Sequence, residues 1–178
     1  MKTHTLVFVG LMTSITCILS PISIAIPISP VPITLGLFAI LLSSILLGPR
    51  YGTISCLLYL LLGFVGLPVF SGFSGGAGVL LGPTGGYLCG YVFIPLLSGL
   101  FPARYRKQPR LYLLQFLPGL LLCYISGTFW LGYHLNIPFL SALAIGVLPY
   151  LPADLIKTAA ALVLGRLLCK RLHRAGLL

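Results

Sequence analysis

The chain has 178 residues, of which 58% are apolar or aromatic and only 7% are charged, whereas soluble domains carry about 25% charged residues. With a mean hydropathy of +1.12, this composition excludes a water-soluble globule and indicates a chain whose solvent is lipid. The formal net charge of +10 could suggest nucleic acid binding, but in a chain this apolar we interpret it as membrane topology and predict no nucleic acid partner.

Six apolar segments follow one another along the chain, and each is interpreted as a membrane-spanning helix in contact with lipid. A span needs about 20 apolar residues, so the chain has room for six spans and forms a single membrane domain, 1–178. The sequence therefore predicts an all-α integral membrane protein, a six-transmembrane-helix bundle with structured outer loops. The predicted spans lie at about residues 5–26, 33–48, 51–67, 84–103, 111–133 and 153–170.

The basic residues fall into four groups, which these spans place on one side of the membrane: Lys2, Arg50, residues 104–110 and residues 166–174. Because Lys and Arg are enriched in cytoplasmic loops, both termini are predicted to be cytoplasmic. The second and third spans are short and could instead form a re-entrant hairpin, and in either case residues 48–52 are predicted to form the turn between them. Full crossings are favoured, because Arg50 at the tip of a half-inserted hairpin would cost about 3 kcal/mol.

The first outer connection, residues 26–34, contains Pro27, Pro30 and Pro32 and no charged residue. Proline fixes φ and restricts the residue before it, so this segment is expected to be stiff and extended. It suits the apolar wall of a binding site or, equally, a rigid spacer between helices.

The glycine-rich segment 67–86 is expected to fold into the outer mouth of the bundle. It carries no charge and keeps apolar residues such as Phe73 and Leu81, which would be poorly placed in water. Non-helical backbone near a membrane is tolerated where protein buries it or where it lines a cavity, and glycine lets the main chain approach a ligand closely. The alternative is a connector that only packs against neighbouring helices.

Asp154 is the only acidic residue of the chain, and it is predicted to lie in the first turn of the sixth helix because Pro152 suits the first helical position. Lys157 lies three residues further on and shares its helical face. Charged groups inside a membrane usually pair and face an interior or a watery cavity, so these two residues form a candidate binding site. The alternative is a structural pair, in which Asp154 is a partner of the helix dipole.

A carboxylate accepts N–H donors and an ammonium donates, so the pair would complement a small molecule with amide-like or ureido groups. Lys157 could alternatively hold a substrate carboxylate. The chain is not predicted to be an enzyme, because no histidine lies near Asp154 to act as a base. We expect no metal site and no cofactor. Because no phosphate loop occurs in the sequence, energy from ATP would have to come from a partner.

Small residues recur at helical spacing, as Gly10 and Ser14 in the first span and as Gly86 and Gly90 in the fourth. Such pairs let helices approach closely. Most of them serve packing within one chain, but an exposed small face on the first helix could dock another membrane protein.

Several motifs, in order along the chain, resemble the BioY family, the biotin-specific substrate-binding (S) components of energy-coupling-factor transporters. No motif would suffice alone, but together they are specific and extend over most of the chain. The matching stretches include Pro30-Val31-Pro32-Ile33-Thr34-Leu35, Leu47-Gly48-Pro49-Arg50-Tyr51-Gly52, Gly66-Leu67-Pro68-Val69-Phe70, Leu80-Leu81-Gly82-Pro83-Thr84-Gly85-Gly86-Tyr87 and Leu151-Pro152-Ala153-Asp154-Leu155-Ile156-Lys157.

The resemblance implies biotin uptake across the bacterial plasma (inner) membrane, with capture from outside by outer loops and the sixth helix. Asp154 would accept the ureido N–H groups, and Lys157 would donate to a polar end of biotin. A transmembrane coupling subunit and two ATPase subunits are the implied partners, and Gly10 and Ser14 would lie where the coupling subunit docks. The predicted substrate-binding residues are Asp154, Lys157, Thr34, Phe70, Ser74 and Tyr87.

Gly36 departs from the family, whose members commonly have Gln at this position, and its lack of a side chain removes a possible polar contact to biotin. A function from another class stays open beside biotin transport. In that alternative the chain is a ligand-free membrane scaffold or assembly protein, and its apolar outer loops contact a partner.

Overall fold

The computed structural model describes residues 3–27, 29–100 and 114–175, and most of them are helical, as predicted. Lys2 and the basic residues at 104–110 lie outside the described residues. Short 3₁₀ turns occur at Ser71–Phe73 and Ser98–Leu100. The regular elements are α1 (Thr3–Leu19), β1 (Ser23–Ile26), β2 (Ser29–Thr34), α2 (Gly36–Phe64), α3 (Ala77–Leu80), α4 (Gly85–Gly90), α5 (Phe93–Leu97), α6 (Leu117–Leu135), α7 (Phe139–Gly146) and α8 (Leu151–Arg174).

The first outer connection corrects the all-α prediction, because it forms a two-stranded antiparallel sheet. Ser23 pairs with Thr34 and Ile24 with Ile33. The first helix was predicted to continue to residue 26, but it ends at Leu19. Pro21 lies two residues further on and disfavours helical backbone at Ser20, the residue before it. The extended conformation expected from the prolines is confirmed, and we call this element the hairpin.

Helix α2 changes direction at Gly48, where the sequence predicts a turn. The backbone there is non-helical, with φ 77° and ψ 179°. A Cβ atom on Gly52 would lie 3.0 Å from Cα of Ser44, although eight residues of straight helix span about 12 Å. The two halves of α2 therefore lie against each other, and Gly48 separates the predicted second and third spans.

By length and composition, one helix among the described residues, Gly36–Phe64, is apolar and long enough to cross a membrane. The pair Phe139–Gly146 and Leu151–Leu172, bent by 55°, counts as a second if it forms one span. The apolar helices Thr3–Leu19 and Gly85–Leu100 are shorter. Six crossings therefore remain a prediction.

Close backbone contacts at glycines hold the helices together. A Cβ atom on Gly165 of α8 would lie 2.6 Å from Cγ2 of Ile45, so α8 packs closely on α2. On α4, a Cβ atom at Gly86 would lie 2.3 Å from Cβ of Trp130, and one at Gly90 would lie 2.8 Å from Oγ of Ser126. The Gly86 and Gly90 pair thus serves packing within the chain, against α6.

Candidate functional site

The first turn of α8 carries an acid–amine pair. Lys157 Nζ donates to Asp154 Oδ1 at 3.0 Å, and the two side chains are only 11% and 12% exposed. The predicted pairing on one helical face is confirmed. Since each charge is removed from water, each needs the other as a partner, and the pair as a whole is neutral.

A tyrosine completes the surroundings of this carboxylate. Tyr124, in the middle of α6, donates from Oη to Asp154 Oδ2 at 2.8 Å. Both carboxylate oxygens therefore accept a hydrogen bond, one from each side. Tyr124 was not among the residues predicted for the site, because a lone tyrosine in an apolar span is typical of packing. The available signal was its hydroxyl, which needs a partner when it is buried.

The pair faces a small cavity, which we call the polar cavity. Residues 31–34 of β2 form one wall, and Tyr87, Tyr91 and Tyr150 form much of the rest. Its volume is about 40 Å³, whereas pockets for organic ligands span about 300–1,000 Å³. An organic ligand would therefore enter only if the enclosing segments move.

Two further cavities continue from the polar cavity beneath the hairpin. The first, of about 30 Å³, shares Val31, Thr34, Tyr87 and other residues with the polar cavity. The second, of about 410 Å³, lies between the hairpin and the glycine-rich segment, and we call it the vestibule. Polar cavity and vestibule thus form the two ends of one row.

An apolar groove of about 350 Å³ lies on the other side of Tyr124 and Asp154, between α6 and α8. Leucines such as Leu121 and Leu155 line it, and these two are 57% and 62% exposed. The groove offers almost no polar atoms beyond the Asp154 and Tyr124 side chains, so polar recognition belongs to the polar cavity. Among the described residues, no three His, Cys, Asp or Glu side chains cluster as a metal site requires.

Side-chain hydrogen bonds hold the hairpin and the glycine-rich segment over the cavities. Tyr150 Oη donates to the carbonyl oxygen of Val31 in β2. Burial, together with the negative charge of Asp154, raises the pKa of the Tyr150 hydroxyl above its ordinary value and so favours the protonated, donating form. Trp130 Nε1 donates to the carbonyl oxygen of Gly82 at 2.8 Å. The glycine-rich segment therefore packs onto the bundle.

Comparison with known proteins agrees with this arrangement. A family model described as the BioY family matches residues 1–174. The chain belongs to the BioY family. It is 43% identical over 145 residues to the biotin transporter BioY of Thermotoga maritima, covering 81% of this chain and 85% of that protein. It is 36% identical over 177 residues to the biotin transporter BioY2 of Lactococcus lactis, covering 98% and 95%.

The fold of this BioY chain is also similar to a solved structure. The match is a crystal structure of the S-component for biotin from an ECF-type ABC transporter, with a TM-score of 0.83 and 38% sequence identity. It covers 95% of this chain and 92% of that chain. This BioY chain is therefore a membrane protein with the mostly helical fold of an S component.

The structure of the BioY chain brings most of the predicted site residues to one row of cavities. Thr34 and Tyr87 line the polar cavity together with Asp154 and Lys157. Tyr87 occupies a slot next to Gly146, where a Cβ atom would lie 2.4 Å from its Oη.

Two predicted site residues lie elsewhere in the row or outside it. Ser74 lines the vestibule, where its hydroxyl donates to the carbonyl oxygen of Ser71 at 2.8 Å. Phe70 lines none of the three cavities, because its ring is fully buried against Tyr59 and over Gly63. Phe70 therefore anchors the start of the glycine-rich segment in the core of this BioY chain.

The predicted docking residues lie on an open face of α1. Gly10 and Ser14 are exposed, and no atom lies within 4 Å of a Cβ atom built on Gly10. Neighbouring apolar side chains on the same face, such as Val7 and Leu11, are 61% and 50% exposed. Gly36, by contrast, is buried, and a Cβ atom there would lie 2.7 Å from Ser20 Oγ. A side chain at position 36 would need Ser20 to move.

Proposed function

We propose that this BioY chain captures biotin on the outer side of a bacterial plasma membrane as the S component of an energy-coupling-factor transporter. The family, the biotin transporters among its relatives and the fold of an S-component for biotin support this. The observation that carries the proposal is the buried pair of Asp154 and Lys157 facing the polar cavity. Burying two charges in a membrane protein costs free energy, and a scaffold without a ligand would gain nothing from it.

The pair matches the ureido ring of biotin, which offers N–H donors and a carbonyl acceptor side by side. Asp154 would accept from the N–H groups, and Lys157 would donate to the carbonyl oxygen. Tyr124 already donates to the far carboxylate oxygen at 2.8 Å, so it would keep the carboxylate oriented. Hydrogen bonds to charged groups contribute about 1.5–3 kcal/mol each, so these contacts suffice to select a ureido ring.

The close pairing of a negative and a positive group favours the ureido end over the carboxylate end of biotin. A substrate carboxylate near Lys157 would also lie near Asp154, since their charged atoms are 3.0 Å apart. At an effective dielectric constant of about 20, unit charges about 4 Å apart interact by about 4 kcal/mol. Repulsion by Asp154 would therefore offset attraction by Lys157, and the tail carboxyl would lie away from the pair.

For the topology we infer six crossings with both termini in the cytoplasm. Arg50 lies at the turn within α2, and the basic residues at 166–174 lie in the C-terminal part of α8. Asp154 lies at the opposite, N-terminal end of α8. The positive-inside rule then places the hairpin and the polar cavity on the outer side.

We further infer that transport requires a transmembrane coupling subunit and ATPase subunits supplied by partners. The open face of α1 around Gly10 and Ser14 suits the coupling subunit, because small residues let a partner helix approach closely. The partners would supply the ATP hydrolysis for which this sequence contains no phosphate loop.

The test is equilibrium binding of labelled biotin to the full chain purified in detergent. Wild-type protein should bind one biotin per chain, and Asp154→Asn should weaken binding about 100-fold or more, since an amide cannot replace the charge. Leu155→Ala, on the exposed neighbouring face of α8, serves as the control and should bind as the wild type does. Absence of saturable binding to the wild type would support a scaffold instead.

A further inference from the structure

The row of cavities connects the acid–amine pair with the surface between the hairpin and the glycine-rich segment. Pro32 lines all three cavities. Ser71 and Thr84 line both the vestibule and the small cavity between it and the polar cavity. The three cavities adjoin one another at these shared residues, so the tail of a ligand with its ring at Asp154 would point along the row towards the vestibule.

The two ends of the row differ in charge. The polar cavity holds an ion pair, whereas none of the described residues that line the vestibule is charged. The vestibule instead presents hydroxyl groups, which donate and accept hydrogen bonds. They belong to Ser23, Ser29, Ser71, Ser74 and Thr84.

This difference decides what the tail of a ligand can gain. A carboxylate gains most from a cation, particularly where water is scarce, and the vestibule lining offers none among the described residues. A neutral amide gains hydrogen bonds from hydroxyl groups at least as readily, because it carries both a donor and an acceptor. The vestibule therefore gives little reason to prefer a free tail carboxylate over its amide.

The two ends also differ in space. The polar cavity has a volume of about 40 Å³ and the vestibule about 410 Å³, which is the size of a pocket for a further organic group. The polar cavity must already widen to admit the ureido ring, whereas the vestibule has room for a substituent on the tail as it stands.

We infer that the vestibule is a second subsite, which accepts groups joined by an amide bond to the tail carboxyl of biotin. The ligands of this chain then include biotin amides, such as the amide with the ε-amine of lysine, as well as free biotin. This inference rests on the proposed function, because it assumes that the ureido ring occupies the polar cavity.

The experiment is competition against labelled biotin on the full chain in detergent, with three unlabelled probes. The N-methyl amide of biotin tests the charge of the tail, and the lysine amide tests the space of the vestibule. Both should compete within about tenfold of biotin, because hydroxyl hydrogen bonds of about 1 kcal/mol serve either tail. Biotin carrying a methoxycarbonyl group on a ureido nitrogen should be at least about 100-fold weaker, because the group replaces an N–H donor to Asp154 and enlarges the ring that the polar cavity must widen to admit.

A matched pair of substitutions on β1 tests the vestibule itself. Ala25 lines the vestibule, whereas the neighbouring Ile24 does not line it and is 70% exposed. Ala25→Trp should weaken the lysine amide at least about tenfold more than it weakens free biotin, because the amide carries the larger group into that space. Ile24→Trp should leave both ligands unchanged.

The outcomes separate this inference from the proposed function. If labelled biotin does not bind the wild type, the proposed function fails. If biotin binds but both amides compete at least about 100-fold more weakly than biotin, the chain recognises the charge or length of the tail. The inference of a second subsite for amides is then wrong. Equal losses of biotin and lysine amide in Ala25→Trp would also overturn it.

Discussion

Replacing Tyr124 by Phe removes one hydroxyl and should weaken biotin binding. The hydroxyl donates to Asp154 Oδ2 at 2.8 Å, and hydrogen bonds to charged groups contribute about 1.5–3 kcal/mol. When biotin binds, Lys157 would share its donors with the ureido carbonyl, so the carboxylate depends most on Tyr124 in that state. At about 1.4 kcal/mol for each factor of ten, the affinity should fall about 10- to 100-fold, as measured by equilibrium binding of labelled biotin.

The control for this substitution lies on the same helix. Tyr133 is 75% exposed on α6, and Tyr133→Phe should bind biotin within about twofold of the wild type, because surface substitutions change little. Thermal unfolding of both variants separates a local effect from a loss of fold. Unchanged or tighter binding by Tyr124→Phe would refute the role of the tyrosine in orienting Asp154.

Three further substitutions test other parts of the account. Gly146→Ala should lower the thermal unfolding temperature and cost about 1–3 kcal/mol, because its Cβ atom would lie 2.4 Å from Tyr87 Oη; unchanged stability would contradict this packing. Tyr150→Phe removes the hydrogen bond to Val31 in the hairpin and should speed the dissociation of labelled biotin about fivefold, as one hydrogen bond of about 1 kcal/mol permits; unchanged or slower release would show that this hydrogen bond does not hold the hairpin over bound biotin. Gly10→Leu, on the open face of α1, should reduce biotin uptake by cells that contain the partner subunits and leave binding to the purified chain unchanged. If Gly10→Leu abolished binding to the purified chain, Gly10 would be needed for the folded binding site and not only for docking a partner.

Patterns over several residues predicted most of the helical fold. Long apolar segments predicted the helices, and the sequence around Gly48 predicted the turn within α2. The prolines of residues 26–34 predicted extended backbone, but not that it would pair with residues 23–26. Strand pairing depends on which segment lies opposite, and an apolar stretch such as 23–26 suits a helix end as well as a strand.

The site was predictable where its residues are close in the sequence. Asp154 and Lys157 are three residues apart, so their contact follows from helix geometry. Tyr124 and Tyr150 reach the site from other parts of the chain, and their roles depend on how α6 and the hairpin pack. Phe70 was expected to contact a ligand because it is an aromatic residue in a glycine-rich segment, but in the structure its ring fills the space over Gly63.

The coupling between Asp154 and Lys157 in biotin binding tests most directly whether the two residues act together as one receptor for the ureido ring. Dissociation constants of biotin for Asp154→Asn, Lys157→Met and the double variant give this coupling as a double-mutant cycle. We expect the double variant to lose far less affinity than the sum of the losses in the two single variants, with a coupling free energy of about 1–3 kcal/mol. The reason is that either single substitution already disrupts the receptor. Losses that simply add, or a wild-type chain that binds no biotin, would contradict the account.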